Sequence, residues 1–103
     1  MFLIPYNNEL KERALYLHEE INKMSLFSGI LPEGAFYYFM NISKTKLTST
    51  EFANRLLEEH NLLVVPGIAF GEKFDKYVRL SLCVSMDTLK EAVETLKIVV
   101  TKI

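Results

Sequence analysis

Val64-Val65-Pro66-Gly67-Ile68-Ala69-Phe70-Gly71, followed after five intervening residues by Tyr77-Val78-Arg79-Leu80-Ser81, is the stretch that decides the fold. A short apolar run ends in a Pro-Gly turn, a loop crosses over, and a second strand carries one arginine near its middle. Side chains two apart share a sheet face. Val78, Leu80, Leu82 and Val84 therefore form an apolar face, while Tyr77, Arg79, Ser81 and Cys83 lie on the other. A partly enclosed guanidinium calls for an anion, and its planar fork suits a carboxylate bound by two parallel hydrogen bonds. No fixed acid stands out nearby in the sequence, so a ligand carboxylate is one candidate. A structural ion pair with an acid on another element is the other.

The chain N-terminal to this stretch alternates helix and strand. Asn7 or Asn8 is suited to cap a helix running to about Met24, with Leu10, Ala14, Leu17, Ile21 and Met24 as one apolar stripe. His18 flanks that stripe with no second ligand one turn away, which makes it a helix-flank residue and not a metal site. Ser25 to Gly29 breaks the helix, and Pro32-Glu33-Gly34 reads as a turn with Glu33 in solvent. Ala35 to Ile42 is aromatic enough to be a strand. Its aromatics fall on both faces, so either helices cover one side of the sheet and a partner the other, or part of the run is exposed; the run reads as contact surface for a further domain or as ordinary core.

Thr48-Ser49-Thr50-Glu51 fits a capping box for a helix through Phe52, Ala53, Leu56 and Leu57 that ends near His60-Asn61. Leu62 to Val65 is the next strand. Ser85 caps a last helix whose buried face is Leu89, Ala92, Val93, Leu96, Val99 and Val100. The last two strands are too close in sequence for a helical crossover and should be antiparallel. The expected architecture is α+β, a small and mostly antiparallel sheet packed against helices.

Composition narrows the function classes. A chain of 103 residues makes one domain, half of it apolar and about a quarter charged. The 12 basic and 13 acidic residues nearly cancel, which leaves no electrostatic footprint for nucleic acid. One cysteine forms no internal disulfide, and Cys83 is expected to be a small buried residue without nucleophilic chemistry. Phe2-Leu3-Ile4 is too short for a signal core, and no run approaches a membrane span; a cytoplasmic setting is expected.

Val65-Pro66-Gly67-Ile68-Ala69-Phe70-Gly71 and Tyr77-Val78-Arg79-Leu80-Ser81 resemble the C-terminal signature of fold-type I, pyridoxal-phosphate-dependent aminotransferases, class I/II, near aspartate aminotransferase. Pro32-Glu33-Gly34-Ala35-Phe36-Tyr37 resembles the same family's upstream strand entry, and the likeness runs from about Asn8 to the C-terminus. The resemblance implies that Arg79 clamps the α-carboxylate of the substrate, which orients the bond from Cα to hydrogen for proton transfer. It implies for Phe70 a place in the pocket wall; an aromatic plug in a turn is the plainer alternative. Gly67 serves backbone geometry.

The same resemblance implies a cofactor, pyridoxal phosphate, and a Schiff-base lysine that belong to a large domain without counterpart here. Lys44, Lys46, Lys73 and Lys76 sit in polar loops, so residues 1–103 are expected to be the small domain of a longer enzyme, begun in mid-protein at Met1 and inactive alone. No cofactor is expected to bind this piece, no catalytic residue is assigned in it, and no metal is expected. The implied partners are 2-amino and 2-oxo acid substrates, the large domain, and a second copy in a homodimer, without nucleic acid or membrane. Where many relatives carry two further glycines, this chain has Phe74 and Lys76, which stiffens the loop and alters the pocket. A stand-alone amino-acid sensor using Arg79, or an interaction domain using Phe36 to Phe39, are the readings from other classes.

Overall fold

The structure, a computed structural model, describes residues 8–31 and 36–102. The turn expected at Pro32-Glu33-Gly34, the start of the next strand at Ala35 and a cap at Asn7 fall outside them.

Three helices cover one face of a four-stranded antiparallel sheet. Helix α1 (Asn8–Asn22) buries Leu10, Ala14, Leu17 and Ile21, the stripe that the spacing predicts, and Met24 joins the same core just beyond its end. Strand β1 (Ser28–Gly29) follows, then β2 (Tyr37–Asn41). Helix α2 (Ser49–His60) starts with the predicted capping box: Glu51 N–H donates to the Thr48 hydroxyl, and Thr48 N–H donates to the Glu51 carboxylate. The bond from Thr48 N–H, helped by the Thr48 hydroxyl beside it, holds the Glu51 carboxyl below its ordinary pKa. Strand β3 (Val65–Pro66), strand β4 (Tyr77–Ser81) and helix α3 (Met86–Val100), with Ser85 as cap, complete the chain.

The sheet order is β1-β2-β4-β3. The register sets Phe39 opposite Arg79 and Asn41 opposite Tyr77 on one side of β4, and Val65 opposite Arg79 on the other. Arg79 thus stands in the middle of a central strand. The inner face contributes Tyr38, Met40, Val78 and Leu80 to one core shared with all three helices. The outer face is different. Of the alternatives left open for the aromatic strand, partial exposure is the one observed: Tyr37 is 41% exposed and Phe39 38%, because all three helices pack on the inner side.

Four further details differ from expectation. Helix α1 ends at Asn22, two residues short of Met24. Strand β3 begins at Val65 and not at Leu62. Asn61 adopts a left-handed conformation, its N–H donates to Leu57 O, and Leu62 N–H donates to Leu56 O. The helix end therefore takes the amides that a longer strand would need. After Pro66 the chain forms a 3₁₀ turn, Gly67–Phe70, and a second one at Glu72–Phe74. Cys83 is exposed: Leu82 is buried and its N–H donates to Phe36 O, which leaves Ser81 and Cys83 on either side of it facing out. Arg13 ties α1 to this segment by donating to Val84 O at 2.7 Å.

The core contains one titratable group with a clear consequence. Tyr38 is fully buried and its hydroxyl lies 2.8 Å from His18 Nδ1, so His18 is a helix-flank partner of the sheet. Burial pushes the Tyr38 pKa from 10.0 up to about 12. The unfolded chain loses that proton near pH 10 while the native chain keeps it. Stability should therefore be intact below about pH 10 and fall as pH rises toward about 12. Urea midpoints across this range should drop more steeply for the native sequence than for Tyr38→Phe. Parallel curves would refute the assignment.

Candidate functional site

The outer sheet face is built around Arg79. Its guanidinium carbon lies 3.9 Å from the centre of the Tyr37 ring and 4.8 Å from that of Phe70. Strand pairing explains the first contact. Tyr37 sits opposite Ser81, one diagonal step from Arg79 on the same face. The 3₁₀ turn after β3 explains the second, since Val65 neighbours Arg79 and the turn carries Phe70 over it. Two aromatic faces stabilise the cation and limit its hydration. Among the described residues the Arg79 side chain makes no ion pair and no hydrogen bond, so its N–H fork is available to an anion. The structural ion pair that the sequence also allowed is not formed among those residues.

Phe70 rests edge-on against Phe39, with ring centres 5.8 Å apart, and is itself 41% exposed. It is neither a buried plug nor a free surface residue; it forms one wall beside the guanidinium. Phe74 meets Phe39 at 6.3 Å and Tyr77 at 6.4 Å, extending the aromatic surface along β4. Tyr37 and Phe74 join the site without having been assigned to it from sequence. For Tyr37 the signal was present, since strand alternation from Phe39 places it on the Arg79 face.

A buried polar knot fixes the loop that carries Phe70. Ser49, fully buried at the start of α2, donates its hydroxyl to Asp75 Oδ1 at 2.7 Å and accepts from Ile68 N–H at 3.1 Å. Ser49 N–H in turn donates to Asp75 O at 2.9 Å. One serine thus links helix α2, the Gly67–Phe70 turn and the segment leading into β4. No sequence motif announced this link, because its partners lie 19 and 26 residues apart.

Gly67 is buried within the same loop. A Cβ there would collide with the backbone carbonyl oxygens of Phe74 and Tyr77. Its φ is not in the positive range, which among the described glycines only Gly71 adopts. Gly67 is therefore required for space, a more specific reason than turn geometry.

The face suits a carboxylate and does not suit pyridoxal phosphate. That group needs a lysine amine in an enclosed pocket and donors gathered around its phosphate. Lys44, Lys46, Lys73 and Lys76 are all exposed, and so is every other lysine of the chain. Among the described residues no cluster of His, Cys, Asp or Glu could hold a metal ion, and no helix is long and apolar enough to cross a membrane.

Comparison with known proteins gives a consistent picture. The family described as Aminotransferase class I and II matches residues 3–96. The aspartate aminotransferase of Pyrococcus abyssi is 38% identical over 86% of this chain and 23% of its own length. Aromatic-amino-acid aminotransferase 2 of Thermococcus litoralis is 36% identical over the same shares. The crystal structure of an aromatic aminotransferase from Pyrococcus horikoshii superposes with a TM-score of 0.86 at 36% identity, covering 91% of this chain and 25% of that one. The chain spans about a quarter of the length of these relatives. On this match, and on a fold that agrees with it, the chain belongs to the class I and II aminotransferases.

Proposed function

We propose that residues 1–103 act as the small domain of a longer, cytoplasmic, pyridoxal-phosphate-dependent aminotransferase. In this reading Arg79 holds the α-carboxylate of a 2-amino acid while its amino group passes to a 2-oxo acid. One observation carries it: an arginine in mid-sheet, flanked by two aromatic rings, with its fork unpaired among the described residues. Such an arginine binds a carboxylate in a defined orientation, which lysine could not match with a single ammonium. Phe70 forms the adjacent wall, and the exposed outer face of the sheet turns toward the large domain that completes the pocket. The cofactor and its lysine belong to that domain, and the whole enzyme works as a homodimer. This chain without the large domain is inactive.

The native gene product tests this reading. Its intact mass should be several times that of the present chain, and its visible spectrum should show bound pyridoxal phosphate. A native product of 103 residues with no chromophore would overturn the proposal. The relatives named above act on different amino acids by their names, so family membership selects no substrate, and the choice has to be sought in the residues.

A further inference from the structure

The two rings beside Arg79 are held in different ways. Tyr37 lies in β2 and is fixed by its register with β4. Phe70 ends a 3₁₀ turn in which Ile68, Ala69 and Phe70 are all exposed, so burial of their side chains does little to fasten it. Gly67 is buried and anchors the start of the turn, and the hydrogen bond from Ile68 N–H to Ser49 Oγ, 3.1 Å long, ties its middle to α2. On the reading just given, we propose that Ser49 is a positioning residue for the substrate carboxylate. Through this turn it holds Phe70 against Arg79, and so limits the orientations of the guanidinium fork.

A hydroxyl suits this place because it donates and accepts at once. Ser49 Oγ–H donates to Asp75 Oδ1 at 2.7 Å, which turns its lone pairs toward Ile68 N–H. The carboxylate makes that bond charge-assisted and strengthens the oxygen as an acceptor. Asp75 is itself held by its backbone: its N–H donates to Glu72 O, and its carbonyl accepts from Ser49 N–H at 2.9 Å. It stands four residues before Arg79, so the bonds run from the segment that enters β4, through the start of α2, to the turn beside Arg79. Ser49 is fully buried within this chain, and the knot does not depend on what completes the pocket. Without the hydroxyl, Ile68 N–H loses its acceptor and turns to water. Phe70 then leaves the guanidinium, and Arg79 gains rotamers that it must give up again when a carboxylate binds.

The native gene product is the material for the test, with whichever of aspartate, phenylalanine and alanine turns over fastest as donor and 2-oxoglutarate as acceptor. Ser49→Ala should raise KM for both substrates by a similar factor, about threefold to tenfold, with kcat and cofactor content little changed. That split is expected because a carboxylate contact is made equally in the ground and transition states. Asp75→Asn, which keeps an acceptor for the hydroxyl, should raise KM less than Asp75→Ala. Added to Phe70→Ala, Ser49→Ala should raise KM no further, since its effect passes through that ring. Propionate, an unreactive carboxylate, should show the same order of affinities in titration calorimetry. A fall in kcat at unchanged KM, or a Ser49→Ala effect of equal size with and without the Phe70 ring, would overturn the proposal and leave Ser49 a residue of the fold alone. Absence of transfer from any amino acid would overturn the aminotransferase reading, and the propionate series then decides by itself. Weaker binding in Ser49→Ala that disappears in the Phe70→Ala background keeps the positioning of Arg79, whereas equal or absent binding overturns it.

Discussion

In the longer aminotransferase proposed above, Arg79→Lys is expected to lower kcat/KM for amino-group transfer by about 30-fold or more, with cofactor content unchanged. Truncating one partner of a buried, hydrogen-bonded charge pair costs about 2–5 kcal/mol, equivalent to roughly 30-fold to several thousand-fold. Lysine keeps the charge and belongs at the low end. Arg79→Ala belongs at the high end, because it also removes the group that Tyr37 and Phe70 pack against. The order of the two variants separates fork from charge. If the bidentate geometry matters, lysine rescues little of what alanine loses. Cofactor content is the control, since nothing on the Arg79 face suits pyridoxal phosphate. Equal efficiency of native and Arg79→Lys enzymes would remove Arg79 from the substrate site.

The position of this arginine was legible because β4 is a full five-residue strand whose alternation leaves no choice of face. The same holds for the ends of α2, where Thr48, Glu51 and Asn61 form local hydrogen bonds that depend on neighbours in sequence. Short elements carry no such period. Strand β1 is two residues, Ser28–Gly29, and exists because β2 offers Met40 and Asn41 as partners; nothing in its own residue types predicts it. Cys83 was misplaced for a related reason. Its residue type suggested burial, but Ser81 and Cys83 are both exposed with Leu82 buried between them, and residue type does not report which side of a sheet is left uncovered.

The aromatic strand shows a different limit. Tyr37 and Phe39 were left open between core and contact surface, and residue type alone could not decide between them. Their exposure follows from where the three helices pack, which is a property of the whole chain. That exposure also gives the site its shape, since Tyr37 and Phe39 reach Arg79 and Phe70 only from an outer face free of helices.

Gly67→Ala is expected to destabilise the fold by about 3 kcal/mol, the upper part of the range for overpacking a tight site. The argument rests on what the new Cβ would meet. Both obstructing atoms are backbone carbonyl oxygens, of Phe74 and Tyr77, so no side-chain rotation relieves the clash. The Gly67–Phe70 turn would have to separate from the segment that enters β4. That movement opposes the Ser49 hydroxyl, which accepts from Ile68 N–H and donates to Asp75, and so holds both sides of the gap. Gly71→Ala provides the contrast. Around Gly71 there is room, with the nearest atom to an added Cβ at 3.7 Å, but its φ of +130° is one that only glycine adopts readily. Its cost is torsional and confined to an exposed position, about 1–3 kcal/mol. The two variants should therefore differ in reach as well as size. Gly67→Ala should disturb the amide resonances of Ile68, Phe70 and the β3–β4 pairing, whereas Gly71→Ala should disturb mainly its own turn. A Gly67→Ala protein with an unchanged urea midpoint would mean that the loop has slack, and Phe70 could then not be held against Arg79 by packing of this segment.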